Sequence, residues 1–373
     1  MSNFFNNFVE DLKDEDTTLA SSGQAASEFS GTIDTGSYLL NALLSGSIYG
    51  GIPNNKITAF AGESATGKTF FVMGCIKAFL DQNPDAGVMY YDTEAAVTKD
   101  MMEVRGIDTD RVMISEPQTI QEFRTKALKA IELYEQTPKD KRPPFMFVLD
   151  SLGLLSTTKE LEDISDGKET RDMTKAQVIK AAFRVLTLKL ARAGIPMLVT
   201  IHVYEVIGSY IPMKEMGGGT GLKYAASTIV FLGKKKERDA NKDIIGNIIK
   251  CTTFKSRLSK ENQKAEVLLT YDKGLDKYYG LTDLCIEMGQ WEKKGSRILI
   301  NNVESEHDGK SVYAKSIAAD PEAFFTPRIM AMIDQYTENK YSYGETNMSM
   351  NITEGEEIDG TTGSEVASEN INS

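Results

Sequence analysis

From position 56 to 232 the chain alternates short apolar runs with longer stretches whose apolar residues return every three or four positions. Runs at 56–61, 87–92, 145–150, 196–201 and 226–232 read as strands, and the stretches 68–81, 119–135 and 173–192 as amphipathic helices between them. Such alternation predicts an α/β fold with a mostly parallel sheet covered on both faces. In that architecture ligands gather at the carboxyl ends of the strands. After 232 the pattern changes to antiparallel strands joined by charged turns, and "GKKKER" at 233–238 reads as a charged hairpin turn or, alternatively, a DNA patch. Residues 281–337 read as a small helical module. Residues 338–373 are acidic, hold few large apolar side chains and are expected to be disordered. At the other end Phe4, Phe5, Phe8 and Leu12 share one helical face, suited to packing on its own core or on a neighbouring subunit, with a linker following.

The strand ends carry the candidate chemistry. "GESATGKTFF" begins at Gly62 and joins the first apolar run to the first helix. A glycine, four residues, then Gly67, Lys68 and Thr69 make a turn whose backbone N–H groups form an anion nest; Lys68 can reach outer phosphates and Thr69 can offer its hydroxyl to Mg²⁺. "FMFVLDS" ends on Asp150, placed to hold Mg²⁺ through water, or to cap the segment after it. "VMYYDTEAA" ends with Asp92 and Glu94; Glu94 is favoured to orient and deprotonate an attacking water, a solvated loop acid being the alternative. His202 closes "PMLVTIHVY", and Gly217, Gly218, Gly219 and Gly221 cluster just beyond it, where backbone can approach a ligand closely or change shape.

Composition narrows the class. With 373 residues, 41% hydrophobic and 26% charged, the chain is long enough for one main domain and a small one. Its net charge of −12 sits at the ends: residues 1–31 carry −5, residues 338–373 carry −7, and the body between is neutral. The acidic total is therefore no argument against a nucleic-acid partner. Cys75, Cys251 and Cys285 are widely spaced, which argues against a zinc site or disulfide framework and fits a reducing cytoplasm. No apolar stretch approaches the ~18 residues of a membrane span, and the first residues lack a signal-peptide pattern, so a cytoplasmic protein is expected.

Six segments in order, "IDTGSYLLNALLSGSIYGGIPNNKITAFAGESATGKT", "YYDTEAA", "FVLDSLGLLS", "TIHVYE", "MGGGTGLKYAAS" and "FKSR", resemble the RecA-type DNA recombinases, in particular the UvsX-type recombinases of tailed phages. The resemblance covers about residues 30–330. It implies a RecA-like P-loop ATPase core (32–280), an N-terminal oligomerisation segment (1–31) with Phe29 as its candidate anchor, a small α-rich module (281–337) and an acidic tail (338–373). It further implies ATP held by Gly62, Glu63, Ser64, Ala65, Thr66, Gly67, Lys68, Thr69 and Phe70, with Met101 where relatives stack an aromatic on adenine. Mg²⁺ is expected at Thr69 and Asp150. Glu94 readies the water, His202 replaces the usual glutamine that senses the γ-phosphate, and Lys255 and Arg257 reach an ATP bound by the neighbouring protomer.

The same resemblance implies DNA contact through two loops, about 156–173 and 203–220, and the helix after the first: Lys168, Arg171, Lys175, Lys180, Arg184, Gly217, Gly218, Gly219 and Thr220. The implied activity is ATP-dependent filament formation on single-stranded DNA and strand exchange with homologous duplex, in recombination, repair and recombination-dependent replication. Single-strand-binding and mediator proteins are the implied partners, in the cytoplasm of a host bacterium. A ring-forming helicase of the same fold, or an ATP-gated DNA-coating or loading protein that barely hydrolyses, are the alternatives.

Overall fold

The computed structural model describes residues 2–13, 17–23, 25, 28, 31–168, 173–205, 214–217, 220–238, 244–270, 274–301 and 305–343. The expected disordered tail from 344 onward and Phe29 lie outside them. The elements run α1 (Ser2–Leu12), β1 (Thr32–Ile33), α2 (Tyr38–Ser45), β2 (Ile52–Pro53), β3 (Ile57–Gly62), α3 (Lys68–Gln82), β4 (Gly87–Asp92), α4 (Lys99–Glu103), β5 (Val112–Ser115), α5 (Ile120–Glu135) and β6 (Phe145–Asp150). There follow α6 (Thr158–Ser165), α7 (Lys175–Ala193), β7 (Met197–Glu205), β8 (Lys214–Met216), α8 (Thr220–Ala225), β9 (Thr228–Arg238), β10 (Ile244–Lys255), β11 (Lys264–Thr270) and β12 (Gly274–Leu275). The chain continues through α9 (Leu281–Glu287), β13 (Trp291–Lys294), β14 (Arg297–Ile300), β15 (Ser311–Tyr313), α10 (Ala314–Ala319) and α11 (Pro327–Tyr341).

The central sheet has the order β12-β11-β10-β9-β3-β7-β6-β4-β5, with β8 paired to β7. From β9 through β5 every pairing on this path is parallel, and the β9–β12 edge is antiparallel. Strand β3 is buried along its whole length, which is why it reads as an unbroken apolar run. Its side chains alternate between two cores: Phe60 joins Phe71, Val72 and Ile76 of α3 on one face, while Ile57, Ala59 and Ala61 join Phe123 of α5 and Phe183 and Leu186 of α7 on the other. Thr119 caps α5 by accepting from the Glu122 amide at 3.0 Å, a bond of the kind that contributes about 1 kcal/mol. That helix is thus fixed at its start.

Three expectations are revised and one strand is added. The 233–238 run is not the turn: it continues β9, with Lys234 opposite Ile249 and Lys235 opposite Ile248 across the ladder, so the hairpin is longer than its charges suggest. Val112–Ser115 forms an edge strand too short and exposed to register as an apolar run. The 281–337 module is less helical than expected, because Trp291–Lys294, Arg297–Ile300 and Ser311–Tyr313 form a three-stranded antiparallel sheet. Its residues Leu281, Trp291, Phe325 and Ile333 share a core with Leu39, Leu43 and Phe71. Finally, α11 runs on to buried Tyr341, past the start assigned to the tail at 338.

Candidate nucleotide and DNA site

Strand β3 delivers the loop at its carboxyl end, between β9 on one side and β7 on the other. Two glycines are required there. A Cβ on Gly62 would lie 2.7 Å from Thr66 Oγ1, and Gly67 opens α3 at φ +88°, a left-handed conformation costly for other residues. Ala65 adopts φ +58° between them. The buried Lys68 ammonium folds back over the loop, donating to the carbonyls of Gly62 at 3.1 Å and Glu63 at 3.0 Å. Burial lowers its pKa, while the nearby Glu94 and Asp150 carboxylates oppose that shift. An ammonium in this setting is under-solvated and suited to receive phosphate oxygens.

The parallel register brings the other strand ends alongside: Gly62 opposite His202, and Asp92 opposite Asp150. His202 bridges two groups, with Nδ1 3.3 Å from Lys68 Nζ and Nε2 3.2 Å from Glu94 Oε1. Ser151 Oγ donates to the same Glu94 oxygen at 2.9 Å. Asp150 is buried and accepts from Tyr90 OH at 2.7 Å and from Thr200 Oγ1. Burial first, then Asp150, pushes the Tyr90 phenol well above its ordinary pKa, so it stays a donor. Lys68, Glu94, Asp150 and His202 are therefore one cluster.

Thr69 is partly buried in the first turn of α3. Mg²⁺ keeps several waters and takes one or two carboxylates plus substrate phosphates, so a hydroxyl and one anchored carboxylate beside a phosphate nest fit it. No group of three or more His, Cys, Asp or Glu side chains able to cage a metal occurs among the described residues. Met101, on α4, packs against the core near Phe70; the Arg105 guanidinium lies 4.2 Å over the Phe70 ring and donates to the Met101 carbonyl at 2.8 Å.

A family model for the RecA N-terminal domain matches residues 15–276. The chain belongs to the RecA family. It is 32% identical over 251 residues to the recombination and repair protein of Enterobacteria phage T4, covering 67% of this chain and 62% of that protein's length. It is 28% identical over 307 residues to Protein RecA of Deinococcus radiodurans, covering 81% and 80%. Against Protein RecA of Mycoplasmopsis pulmonis the figures are 27% over 267 residues, 70% and 73%.

In this RecA-family chain Lys255 and Arg257 stand away from the cluster around Lys68. Lys255 Nζ caps the end of α8, donating to the carbonyls of Lys223 at 2.6 Å and Ala226 at 2.7 Å. Its ladder partner is Ile229, at the start of β9, whereas Gly62, at the end of β3, pairs with Leu232 three residues further along. Arg257 lines a cavity of about 420 Å³ with Lys56, Ile57 and Arg184. Burial, then the Arg257 charge, lowers the pKa of both Lys56 and Lys255.

The DNA-binding candidates divide. Lys168 pairs with Asp166 at 2.8 Å, Lys175 lies 3.7 Å from Glu160, and Lys180 sits 5.7 Å over the Tyr224 ring. Arg184 faces the Arg257 cavity. Arg171, Gly218 and Gly219 lie outside the described residues. The Gly217 amide donates to the His202 carbonyl at 2.9 Å, and Thr220 opens α8, which packs so closely on α7 that a Cβ at Gly221 would lie 2.8 Å from the Lys180 amide nitrogen. The glycine segment is thus tied directly to His202.

The residues that hold these groups in place carry no motif of their own. Asp92, buried, accepts the amides of Glu94 at 3.0 Å and of Ala96 and Val97 at 3.1 Å, shaping the loop that carries Glu94. Thr93 Oγ1 accepts from the Ser151 amide and donates to the Ser151 carbonyl, both at 2.8 Å. Hydroxyl residues beside both strand-end acids, in "DTE" and "LDS", were the available signal.

Proposed function

We propose that this chain is a DNA-dependent ATPase that assembles into helical filaments on single-stranded DNA, pairs it with homologous duplex and exchanges strands. One observation carries the reading: the nest and the Lys255–Arg257 pair belong to opposite ends of the same sheet. Strand β3 spans six residues, Ile57–Gly62, about 20 Å at the usual rise, with the nest at its carboxyl end and the Arg257 cavity at Asn55–Ile57 before it. Cations so placed act on a nucleotide held by another copy. Catalysis then requires assembly, and DNA that promotes assembly promotes turnover.

Within the site, the nest and Lys68 bind the phosphates, Glu94 orients and deprotonates water, and His202 passes the state of the nucleotide to Gly217 through the 2.9 Å backbone bond. Mg²⁺, held by Thr69 directly and by Asp150 through water, would neutralise charge on the phosphate oxygens. Met101 and Phe70 border the base. Backbone amides of Gly217–Gly219 and Thr220, with Lys168, Arg171, Lys175, Lys180 and Arg184, meet DNA phosphates without reading sequence; base pairing between strands supplies the information. Residues 1–31 clasp the neighbouring copy, 32–280 are the ATPase core, 281–341 the appended module and the acidic end beyond it a regulatory tail. The filament works in the host cytoplasm with single-strand-binding and mediator proteins. No helix among the described residues is long and apolar enough to cross a membrane.

A strand-exchange assay with circular single-stranded DNA and linear homologous duplex tests the reading, alongside phosphate release with and without the single strand and electron microscopy with ATP. Joint molecules, DNA-stimulated release and open helical filaments are expected. Closed rings with DNA-independent release would overturn it.

A further inference from the structure

The loop that receives the phosphates is bordered on two sides, and the cluster of Lys68, Glu94, Asp150 and His202 occupies only one. Sheet order places β7, β6 and β4, with His202, Asp150 and Glu94, on one side of β3; β9 lies on the other. Strand β9 pairs in parallel with β3 as far as Leu232 opposite Gly62, then continues beyond it to Arg238. Alternation along β9 sets the face each side chain takes. Val230 and Leu232 belong to the core that contains Phe71 and Val72 of α3, whereas Ile229 belongs to the core on the opposite face. Lys234, two residues after Leu232, therefore emerges on the α3 face just past the end of β3, beside the loop, and its ladder partner Ile249 lies in that same core. Lys235 points the other way. The Lys234 ammonium donates to the carbonyl of Ala65, the left-handed residue at the crown of the loop.

We infer that Lys234 is a second phosphate-binding cation of the nucleotide site, supplied by the same copy, which holds the part of the phosphate chain away from the γ-phosphate. The inference rests on the proposed reading of the loop. The Ala65 carbonyl engages one of the ammonium's three donors and keeps the charge at the lip of the nest. Lys68 reaches the nest from beneath, next to Glu94 and His202, and Lys234 closes it from the β9 side, so the chain of phosphates runs between two ammoniums. Because Lys234 is separated by the width of β3 from the groups that face the reacting end, its contact is made equally to a diphosphate and a triphosphate. Such a contact contributes uniform binding, which appears in KM and leaves kcat alone.

The test measures equilibrium binding of fluorescent N-methylanthraniloyl ATP and ADP to the full-length protein without DNA, and steady-state hydrolysis with it. Lys234→Ala is expected to weaken both nucleotides by the same factor, about tenfold for a solvent-exposed charge-assisted bond to phosphate. KM for ATP rises by that factor while kcat stays within about twofold. Lys234→Arg restores most of the affinity, and Lys235→Ala, which changes net charge identically on the other face, binds like the parent. Lys234→Gln keeps the first two methylenes of the stem without the charge and should match Lys234→Ala, so that a fold defect in the alanine variant does not decide the matter. Unchanged affinity in both Lys234→Ala and Lys234→Gln, a loss confined to the triphosphate, or an equal loss in Lys235→Ala would each overturn the assignment. If Lys68→Ala binds nucleotide as the parent does, the loop reading itself fails and takes this inference with it; a loss at Lys68 with none at Lys234 refutes the inference alone.

Discussion

Ser151 Oγ donates to Glu94 Oε1 at 2.9 Å, and so the residue directly after Asp150, the proposed metal-side carboxylate, holds Glu94, the proposed water-orienting one. The contact is braced by Thr93, whose hydroxyl clasps both the amide and the carbonyl of Ser151 at 2.8 Å. Ser151 is thus a positioning residue. Among the described residues, removing its hydroxyl leaves the Glu94 carboxylate with His202 as its side-chain partner, and a hydrogen bond to a carboxylate contributes about 1.5–3 kcal/mol when well made. Ser151→Ala should lower kcat about tenfold with KM for ATP within about twofold, and Ser151→Thr should recover part of the rate. A change in KM at constant kcat would place Ser151 in binding rather than alignment.

Lys68 and Lys255 should fail in different ways. Lys68 is buried in its own loop, so Lys68→Ala removes turnover by more than about 10³-fold and weakens nucleotide binding by isolated subunits. Lys255 caps α8 in its own chain; Lys255→Ala should leave nucleotide binding by isolated subunits unchanged and abolish the cooperative rise of hydrolysis with protein concentration. Equal losses of subunit affinity in both variants would remove the argument for a cation supplied across subunits.

His202 combines a side-chain bridge with a backbone tie to the glycine segment. Glutamine can still donate toward Glu94 or a phosphate, but it does not reproduce the ring's two opposed contacts at 3.3 Å and 3.2 Å. His202→Gln is expected to retain stimulation of hydrolysis by single-stranded DNA to within about threefold, whereas His202→Ala loses it while basal hydrolysis persists. Phosphate release measured across a DNA titration separates the two. Full stimulation in the alanine variant would show that the signal bypasses this side chain.

Which parts of the molecule were legible depends on where their causes lie. The β3–loop–α3 unit is local: an apolar strand, two glycines with steric work to do and a helix start are contiguous, so Gly62–Thr69 could be read directly. Strands β4, β6 and β7 are buried on both faces and announce themselves as apolar runs. The hydroxyl clasp between Thr93 and Ser151 joins residues 58 apart in the chain, and no periodicity carries it. Lys234 was misjudged for a related reason: a charge run looks like a turn until the ladder shows it continuing a strand past its partner. The helical reading of residues 281–337 missed β13–β15 because strands of three or four residues are too short to establish a period of two.

The three cysteines give a pH test of burial. Burial pushes the Cys285 thiol up to about 12, and the Cys75 and Cys251 thiols higher still. In the folded chain each keeps its proton at pH values where an unfolded thiol, titrating near ~8.5, has lost it. Their contribution to stability is therefore whole below that value and is lost as pH rises from it toward the folded pKa values. Iodoacetamide at pH 8 should label none of the three until denaturant is added, as read by intact mass, and Tm should fall progressively between about pH 8.5 and 11. Rapid native labelling of Cys75 or Cys251 would contradict the packing described.

The N-terminal helix α1 presents Phe4 at 67%, Phe5 at 61% and Phe8 at 52% exposure, with Phe4 and Phe8 stacked at 6.3 Å between ring centroids. A paired aromatic face of this kind is costly to leave in water, since burying one such ring stabilises by about 1.5–3 kcal/mol. Its proposed cover is the next copy in the filament. Replacing both rings, Phe4→Ser with Phe8→Ser, removes that gain without touching the nest, so the protein concentration needed for ATP-dependent assembly should rise at least about 30-fold. Light scattering in the presence of ATP and single-stranded DNA measures the threshold, and fluorescent-nucleotide binding by isolated subunits should be unaltered. Were assembly to proceed at the parent's threshold, α1 would not be the contact between copies, which would have to come from another surface.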